Sequence, residues 1–348
     1  MADDVARPLA PGTRTLLTLG AAVVVLAGVS VARDILSPLA IAVVLVIIVH
    51  PIRRPLERRG LPAWLATTAV IVVAYLILAV MSALIVLAAV QLSAILSEQD
   101  EAISALAAQL GELAARLGLD EQAVASAASV FDPATLLALA GTIVSTVFDW
   151  ATAFFFVLGY VLFMAADGSR YARAGQVFGR ERADSIERVT RFNAGTRRFF
   201  VVGAIFGLIV AVLDGLLLWW LGLPGPLVWA ILAFVTNFVP NIGFVLGLIP
   251  PAILALVVGG PGLFLVVVIA YIVINVTLQV LVQPRFVADT VSLSYSLTFF
   301  SVVFWTFVIG PVGAILAVPL TLLVRALLLE GDERSTWLRW LSGDPEAV

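Results

Sequence analysis

Hydrophobic positions in this chain come in long blocks rather than in a one-face-in, one-face-out alternation. Apolar runs cover about Leu16–Ala32, Ile35–His50, Ala63–Leu92, Leu136–Ala166, Phe199–Leu221 and Leu263–Val282. A helix needs about 20 apolar residues to cross the hydrocarbon core of a bilayer, so these runs predict transmembrane helices. Two further runs, 226–258 and 297–329, are longer and carry helix breakers. As one straight helix, residues 227–258 would extend about 48 Å, against a core of roughly 30 Å. In the first run, Pro240, Gly243, Gly247, Pro250 and Pro251 interrupt the pattern. In the second, Ile309-Gly-Pro-Val-Gly313 and Val318-Pro319 do so. Proline removes an N–H and clashes with the preceding turn. Lipid cannot satisfy the freed backbone, so a break at membrane depth must be buried in protein or line a wet cavity. Each half, about 14 to 17 residues, is short for a crossing, which favours re-entrant hairpins over kinked spans. The predicted fold is all-α: a polytopic helical membrane protein of about eight hydrophobic segments, two of them broken.

The polar stretches divide this layout. We expect an N-terminal tail (1–15), three spans (16–92), an acidic amphipathic helical segment (93–135) and a fourth span (136–166). A basic amphipathic segment (167–198), a core containing the broken segments (199–329) and a C-terminal tail (330–348) follow. Ser30-Val31-Ala32 resembles a small-residue cleavage site, but an apolar run follows at once, and we read a retained span. In segment 93–135, Leu96, Ile103, Leu106, Leu110, Leu113 and Leu117 recur at a/d heptad spacing, with Gln99 as the exception. That seam can cap its own protomer or contact another subunit.

Charge orients the spans. Residues 51–60 hold four arginines against one glutamate, and 167–198 eight arginines against four acids. Residues 93–133 hold seven acids against Arg116. Basic loops stay cytoplasmic, which puts the first two inside, the acidic segment outside and both termini inside. The basic segment, with Ile186, Val189 and Phe192 interleaved, reads as a helix on the anionic inner leaflet. Arg325 reads as a snorkelling residue reaching for the headgroups.

Composition narrows the chemistry. Only 12% of the 348 residues are charged, about half the share of a soluble domain. The chain has no cysteine and one histidine, His50. Disulfides, thiolate or histidine metal sites and a Ser-His-Asp triad are thereby excluded as expectations, and we expect no metal and no catalytic residues. No Walker A loop or dinucleotide fingerprint is present, so neither ATP hydrolysis nor a bound cofactor is expected. Nothing points to nucleic acid; the expected partners are the lipid bilayer and a small solute.

The candidate pathway is polar chemistry inside apolar runs. Asn275, Gln279 and Gln283 recur every four residues, forming one helical stripe that runs into Pro284-Arg285. Such amides either tie helices together or line a path. Asn237 and Asn241 flank Pro240 at the first break and can cap its freed backbone groups. Asp214 lies inside the fifth span, five residues before Trp219-Trp220. A carboxylate there is costly unless paired, protonated or wet, which makes it the candidate for proton or ion coupling. The two broken runs align at an offset of 70: Phe234/Phe304, Thr236/Thr306, Gly243/Gly313 and Leu246/Leu316. Paired broken segments are the sequence mark of a transport site. Gly310 and Gly313 join the pathway set on that ground.

At these residues the chain resembles the autoinducer-2 exporter (AI-2E) family of bacterial permeases. The matching parts are Asp167-Gly168, Leu221-Gly-Leu-Pro224, Asn237-Phe-Val-Pro-Asn-Ile-Gly243 with Ile249-Pro-Pro251, Asn275 through Pro284-Arg285, and Gly310-x-x-Gly313 with Ala317-Val-Pro319. Two positions depart from the family pattern: Gln283 where an acid commonly precedes Pro-Arg, and Tyr295 where proline is usual. The resemblance implies an eight-segment permease with helical hairpins, assembled as a homo-oligomer of five subunits. It implies export of the autoinducer-2 furanone or, for other members, Na⁺(Li⁺)/H⁺ antiport. Neutral amides at the stripe suit an uncharged hydroxylated solute better than a bare cation. We therefore expect an inner-membrane permease exporting a small polar solute. A cation/proton antiporter using Asp214, and a non-transporting scaffold built on segment 93–135, are the alternatives.

Overall fold

A computed structural model of the chain describes residues 10–99, 101–105, 108–109, 155–164, 177–179, 181–240, 242–283, 286, 293–330 and 336–343. Among them there is no strand. Four helical stretches are long and apolar enough to cross a membrane: Arg33–Arg58, Ala63–Ile95, Ala183–Trp220 and Gly243–Val282. Shorter apolar helices accompany them. The protein is a polytopic helical membrane protein.

Helices α1 (Pro11–Val31) and α2 (Arg33–Val49) meet at Ala32, and a short α3 (Arg53–Arg58) carries the first basic cluster. Helix α4 (Ala63–Glu98) is a single rod. Of the fourth span, α5 (Phe155–Met164) is described, and its Val157 and Val161 pack with Leu45, Val49 and Val70 of α2 and α4. Of the acidic segment (93–135), residues 93–99, 101–105 and 108–109 are described: α4 runs on into it to Glu98, and Ile103 of the predicted seam is buried, while the rest of the seam from Leu106 onward lies outside the described residues.

Helix α6 (Ala183–Trp220) organises the rest. The basic residues from Ala183 onward do not form a separate surface helix; they extend the fifth span by four turns without a break. The buried positions of α6, Gly203, Gly207, Val210, Ala211, Asp214 and Leu218, recur three or four apart and make one inward stripe.

After Trp220 the chain turns back along α6 as α7 (Pro226–Thr236). Gly225 starts it at φ 66°, and the Trp229 indole donates to the Pro224 carbonyl at 2.8 Å. The interruption falls at residues 237–242, and α8 (Gly243–Asn275) returns against α7. A Cβ on Gly243 would strike the Thr236 carbonyl, and one on Gly247 would meet Thr236 and Ala233. Those approaches fix the pair as antiparallel. Pro250 and Pro251 do not break the chain, contrary to the sequence expectation; α8 runs through both. Each proline deletes one N–H, and the loss is tolerated inside a helix when neighbouring groups absorb the freed carbonyls. Helix α8 kinks instead at Gly260, at φ 69° and ψ −168°, a conformation that a side chain would disfavour. From there the chain runs antiparallel to α6 into a π-helical turn, Val276–Val282.

The second long run is also interrupted. Helix α9 (Tyr295–Ile309) ends at Gly310, φ 77°, and α10 (Pro311–Ile315) and α11 (Ala317–Leu328) follow. The returning arm lies on α9: the Trp305 indole donates to Thr321 Oγ1 at 3.0 Å, and Thr321 donates to Ser301 Oγ at 2.8 Å. A Cβ on Gly313 would strike the Trp305 carbonyl. Gly243 and Gly313, paired by the offset of 70, thus each abut a backbone carbonyl just across their own break. A short α12 (Thr336–Leu341) ends the described chain.

Candidate functional site: a polar track along one helix

Asp214 is fully buried in α6, six residues before the helix ends at Trp220. Asn275 from α8 donates Nδ2 to Asp214 Oδ2 at 3.4 Å and to its own helix at the Tyr271 carbonyl, 2.9 Å. Gln279 Nε2 in turn donates to Asn275 Oδ1 at 2.6 Å. Asp214 Oδ1 and the Tyr271 hydroxyl are both buried without a hydrogen-bond partner among the described residues. No ion pair to Asp214 occurs among them either. An aspartate at the middle of a membrane helix costs about 3 kcal/mol on insertion scales. A single long hydrogen bond returns only about 1–2 kcal/mol. Packing alone therefore does not account for the carboxylate.

Because α8 and the π turn run antiparallel to α6, the stripe descends along it. Phe286, just beyond the stripe, packs on Phe206 with ring centroids 5.5 Å apart, and its carbonyl accepts from Arg198 Nε at 2.8 Å. Gln279 is half-buried within the π turn, and Gln283 closes it, donating its N–H to the Leu278 carbonyl at 2.7 Å. That is an i→i−5 bond, and single π turns inside α-helices occur frequently at functional sites.

Asn237, at the first break, sits apart from this stripe and lower on α6. Its Nδ2 donates to the Gly203 carbonyl at 3.0 Å, while its Oδ1 is buried without a partner among the described residues. It fits because Gly207 has no side chain; a Cβ there would meet Asn237 Nδ2 at 2.7 Å. Gly207 thus leaves the room for this asparagine, and Gly203 supplies the carbonyl it bonds. Pro240 lies in the turn itself, its carbonyl accepting from the Ile242 N–H at 2.7 Å. Asn241 and Arg285, with Pro284, lie outside the described residues.

The two breaks meet, and they meet through apolar groups. Phe238, in the first, stacks on Phe200 of α6 at 6.3 Å between centroids. Leu316, Val312 and Ile315, from the second, join Phe200, Phe238 and Val44 in one cluster. Ser37 of α2 reaches the second break, its hydroxyl lying 3.5 Å from the Ile309 carbonyl. Along α6, Phe200 is fourteen residues from Asp214, about 21 Å. Polar track and apolar junction therefore occupy different levels of the same helix.

Arg325 does not snorkel. Its side chain is 7% exposed and pairs with Glu330, 5% exposed, at 3.3 Å. Glu330 also accepts from Arg188 of α6 at its backbone carbonyl, 3.2 Å, and Arg188 is braced by Ser185 Oγ at 3.0 Å. With a carboxylate five residues away and α6 alongside, the guanidinium is satisfied within the protein. Glu330→Ala strips Arg325 of that buried counter-charge, and breaking such a pair costs about 3 kcal/mol. The expected result is a clearly lower unfolding temperature in detergent, and an unchanged one would show the pair to be energetically idle.

Sequence reasoning missed Tyr271, the π turn and the Arg188–Glu330 contact. Tyr271 was within reach of it, since it stands four residues before Asn275 and extends the same stripe by one turn. Among the described residues no group of three His, Cys, Asp or Glu side chains could hold a metal.

Comparison with known proteins agrees with this architecture. The chain is 27% identical over 317 residues to the "AI-2 transport protein TqsA" of Escherichia coli, covering 91% of this chain and 92% of that protein. It is 27% identical over 338 residues to a Haemophilus influenzae protein named "Putative transport protein", covering 96% and 97%. Against "Putative transport protein YhhT" of E. coli it is 26% identical over 327 residues, 90% of each. The family profile described as "AI-2E family transporter" matches residues 19–332, nearly the whole chain, and the chain belongs to that family.

Proposed function

We propose that this transporter is a permease of the bacterial inner membrane that exports a small polar solute, such as the autoinducer-2 furanone, by secondary or facilitated transport. The observation that carries this reading is the linked set Asp214–Asn275–Gln279, two amides bonded in series to one buried carboxylate, with Gln283 one turn further along the same stripe and Asn237 held separately at the Gly203 carbonyl. Amides both donate and accept, matching a hydroxylated neutral solute. The apolar junction of Phe200, Phe238 and Leu316 would act as the seal that keeps the path shut between turnovers. Gly310 and Gly313 shape the second break beside that seal, and Arg285 follows the stripe. The name of the TqsA relative supports the furanone over other solutes.

Several features of the assembly belong to the same reading. Both termini would be cytoplasmic, following the arginine-rich loops. The first broken segment would then re-enter from outside and the second from inside, because α7 begins beyond Trp219-Trp220 while α11 ends beside Arg188. A homo-oligomer, five-membered as the resemblance implies, is the expected functional form. The second reading, cation/proton antiport, draws on one observation: Asp214 has no ion-pair partner among the described residues.

Vesicles loaded with autoinducer-2 test the proposal. Purified protein should accelerate efflux over protein-free vesicles. Gln279→Leu should slow it about tenfold, the equivalent of one hydrogen bond of roughly 1.4 kcal/mol lost from the path. Efflux no faster than from empty vesicles, with the protein shown to be inserted, would rule the furanone out.

A further inference from the structure

Helix α12 is amphipathic with its apolar side turned outward. Trp337, Leu338, Trp340 and Leu341 are 62%, 39%, 58% and 56% exposed. On a helix of 3.6 residues per turn they fall within an arc of about 160°, with Arg339 on the opposite side. Arg339 is only half-exposed. This inverts a water-facing surface helix, which would bury its tryptophans and expose its arginine.

The place of α12 says what covers that face. Directly after it, the Ser342 carbonyl accepts from the backbone N–H of Ser294 at 2.8 Å. Ser294 is the N-cap of α9, accepting from the Leu297 N–H at 3.3 Å. Gly343 makes the approach possible: a Cβ there would crowd Ser294 N at 2.6 Å, and its φ is 104°. The end of α12 is therefore pinned to the first residue of an apolar membrane helix. Just above that point α9 exposes Tyr295, Phe299 and Phe300. Exposed apolar side chains of α9 therefore begin one residue from the point where α12 is pinned. Tryptophan and tyrosine concentrate where hydrocarbon meets headgroups, and an amphipathic helix lies there with its apolar side down.

We propose that α12 is an interfacial anchor: its Trp337–Trp340 face rests in the headgroup layer of the bilayer and holds the entry of α9 at that depth. The partner is lipid, not a second protein. The inference rests on α12 and its contact with the start of α9, and stands whatever solute the protein carries.

The chain has no cysteine, so single cysteines can be introduced without background. Nitroxide labels are placed singly at Trp337, Arg339, Trp340 and Leu341 in the full-length protein in lipid vesicles, with Phe299 as a lipid-facing reference. Labels at Trp337, Trp340 and Leu341 should collide several-fold more often with oxygen than with a water-soluble nickel chelate, as at Phe299, while Arg339 should not. Equal nickel access at all four positions would put the helix in water and overturn the anchor. Shielding of the tryptophan face from both probes would overturn it too, since that face would then be covered by protein.

Discussion

Asp214→Asn should uncouple efflux from the pH gradient. In proteoliposomes, the acceleration of solute efflux by an imposed proton gradient should fall at least about tenfold, equivalent to about 1.4 kcal/mol or more of lost coupling. Solute exchange without a gradient should persist. The argument is geometric. Asparagine keeps the shape and can still bond Asn275, but cannot carry a proton or neutralise a cation. Asp214 is fully buried, has one oxygen without a partner, and touches the track only through Asn275. If it served merely to hold α6 against α8, the amide would do equally well and both fluxes would be unchanged. Loss of gradient-free exchange as well would instead place the side chain among the solute contacts. For the antiport reading the same variant loses pH-dependent Na⁺ flux, so one substitution addresses both.

Gly243→Ala should abolish transport while leaving the protein in the membrane. The added methyl meets the carbonyl carbon and oxygen of Thr236. Those are backbone atoms, so no side-chain rotation relieves the contact, and α7 must move off α8. Overpacking typically costs about 1–3 kcal/mol, and a collision with backbone belongs at the upper end. The damage reaches further than stability, because Asn237 leaves α7 immediately before this contact and its position against Gly203 and Gly207 depends on it. Gly262→Ala is the matching control: nothing lies within 4 Å of a Cβ there. Flux should be near normal in the control and lost in Gly243→Ala. Equal flux in the two would mean that the first break is not held by this packing.

Much of the architecture was readable in the order of residues. Long apolar blocks demand membrane helices, because no other open structure satisfies its backbone in lipid. The helix breakers located both interruptions, although they overstated the first. Two prolines inside an otherwise helical run are indistinguishable by pattern from a break, yet α8 absorbs Pro250 and Pro251 and yields at Gly260 instead. Proline removes a donor and crowds the preceding turn but keeps a φ that a helix accepts, whereas a glycine at positive φ changes the direction of the chain. Likewise the basic stretch before Phe199 resembles a surface helix by composition, and nothing in its charges reveals that α6 continues through it.

By itself, then, the sequence determined the helical membrane class of the molecule, the rough places of the interruptions near Pro240 and Gly310, and the candidacy of Asp214, Asn237, Asn275 and Gln279, since each is a polar residue too costly to keep in lipid without use. Only the tertiary structure decided who meets whom. It set Asn275 against Asp214, seated Asn237 against Gly207 with its amide on the Gly203 carbonyl, and made the meeting of the breaks apolar rather than wet. It also turned Arg325 inward to Glu330. The reason is that periodicity along one helix fixes only which residues share a face, while the partner opposite that face is chosen by the packing of separate segments, 34 residues apart for Asn237 with Gly203 and 61 for Asn275 with Asp214.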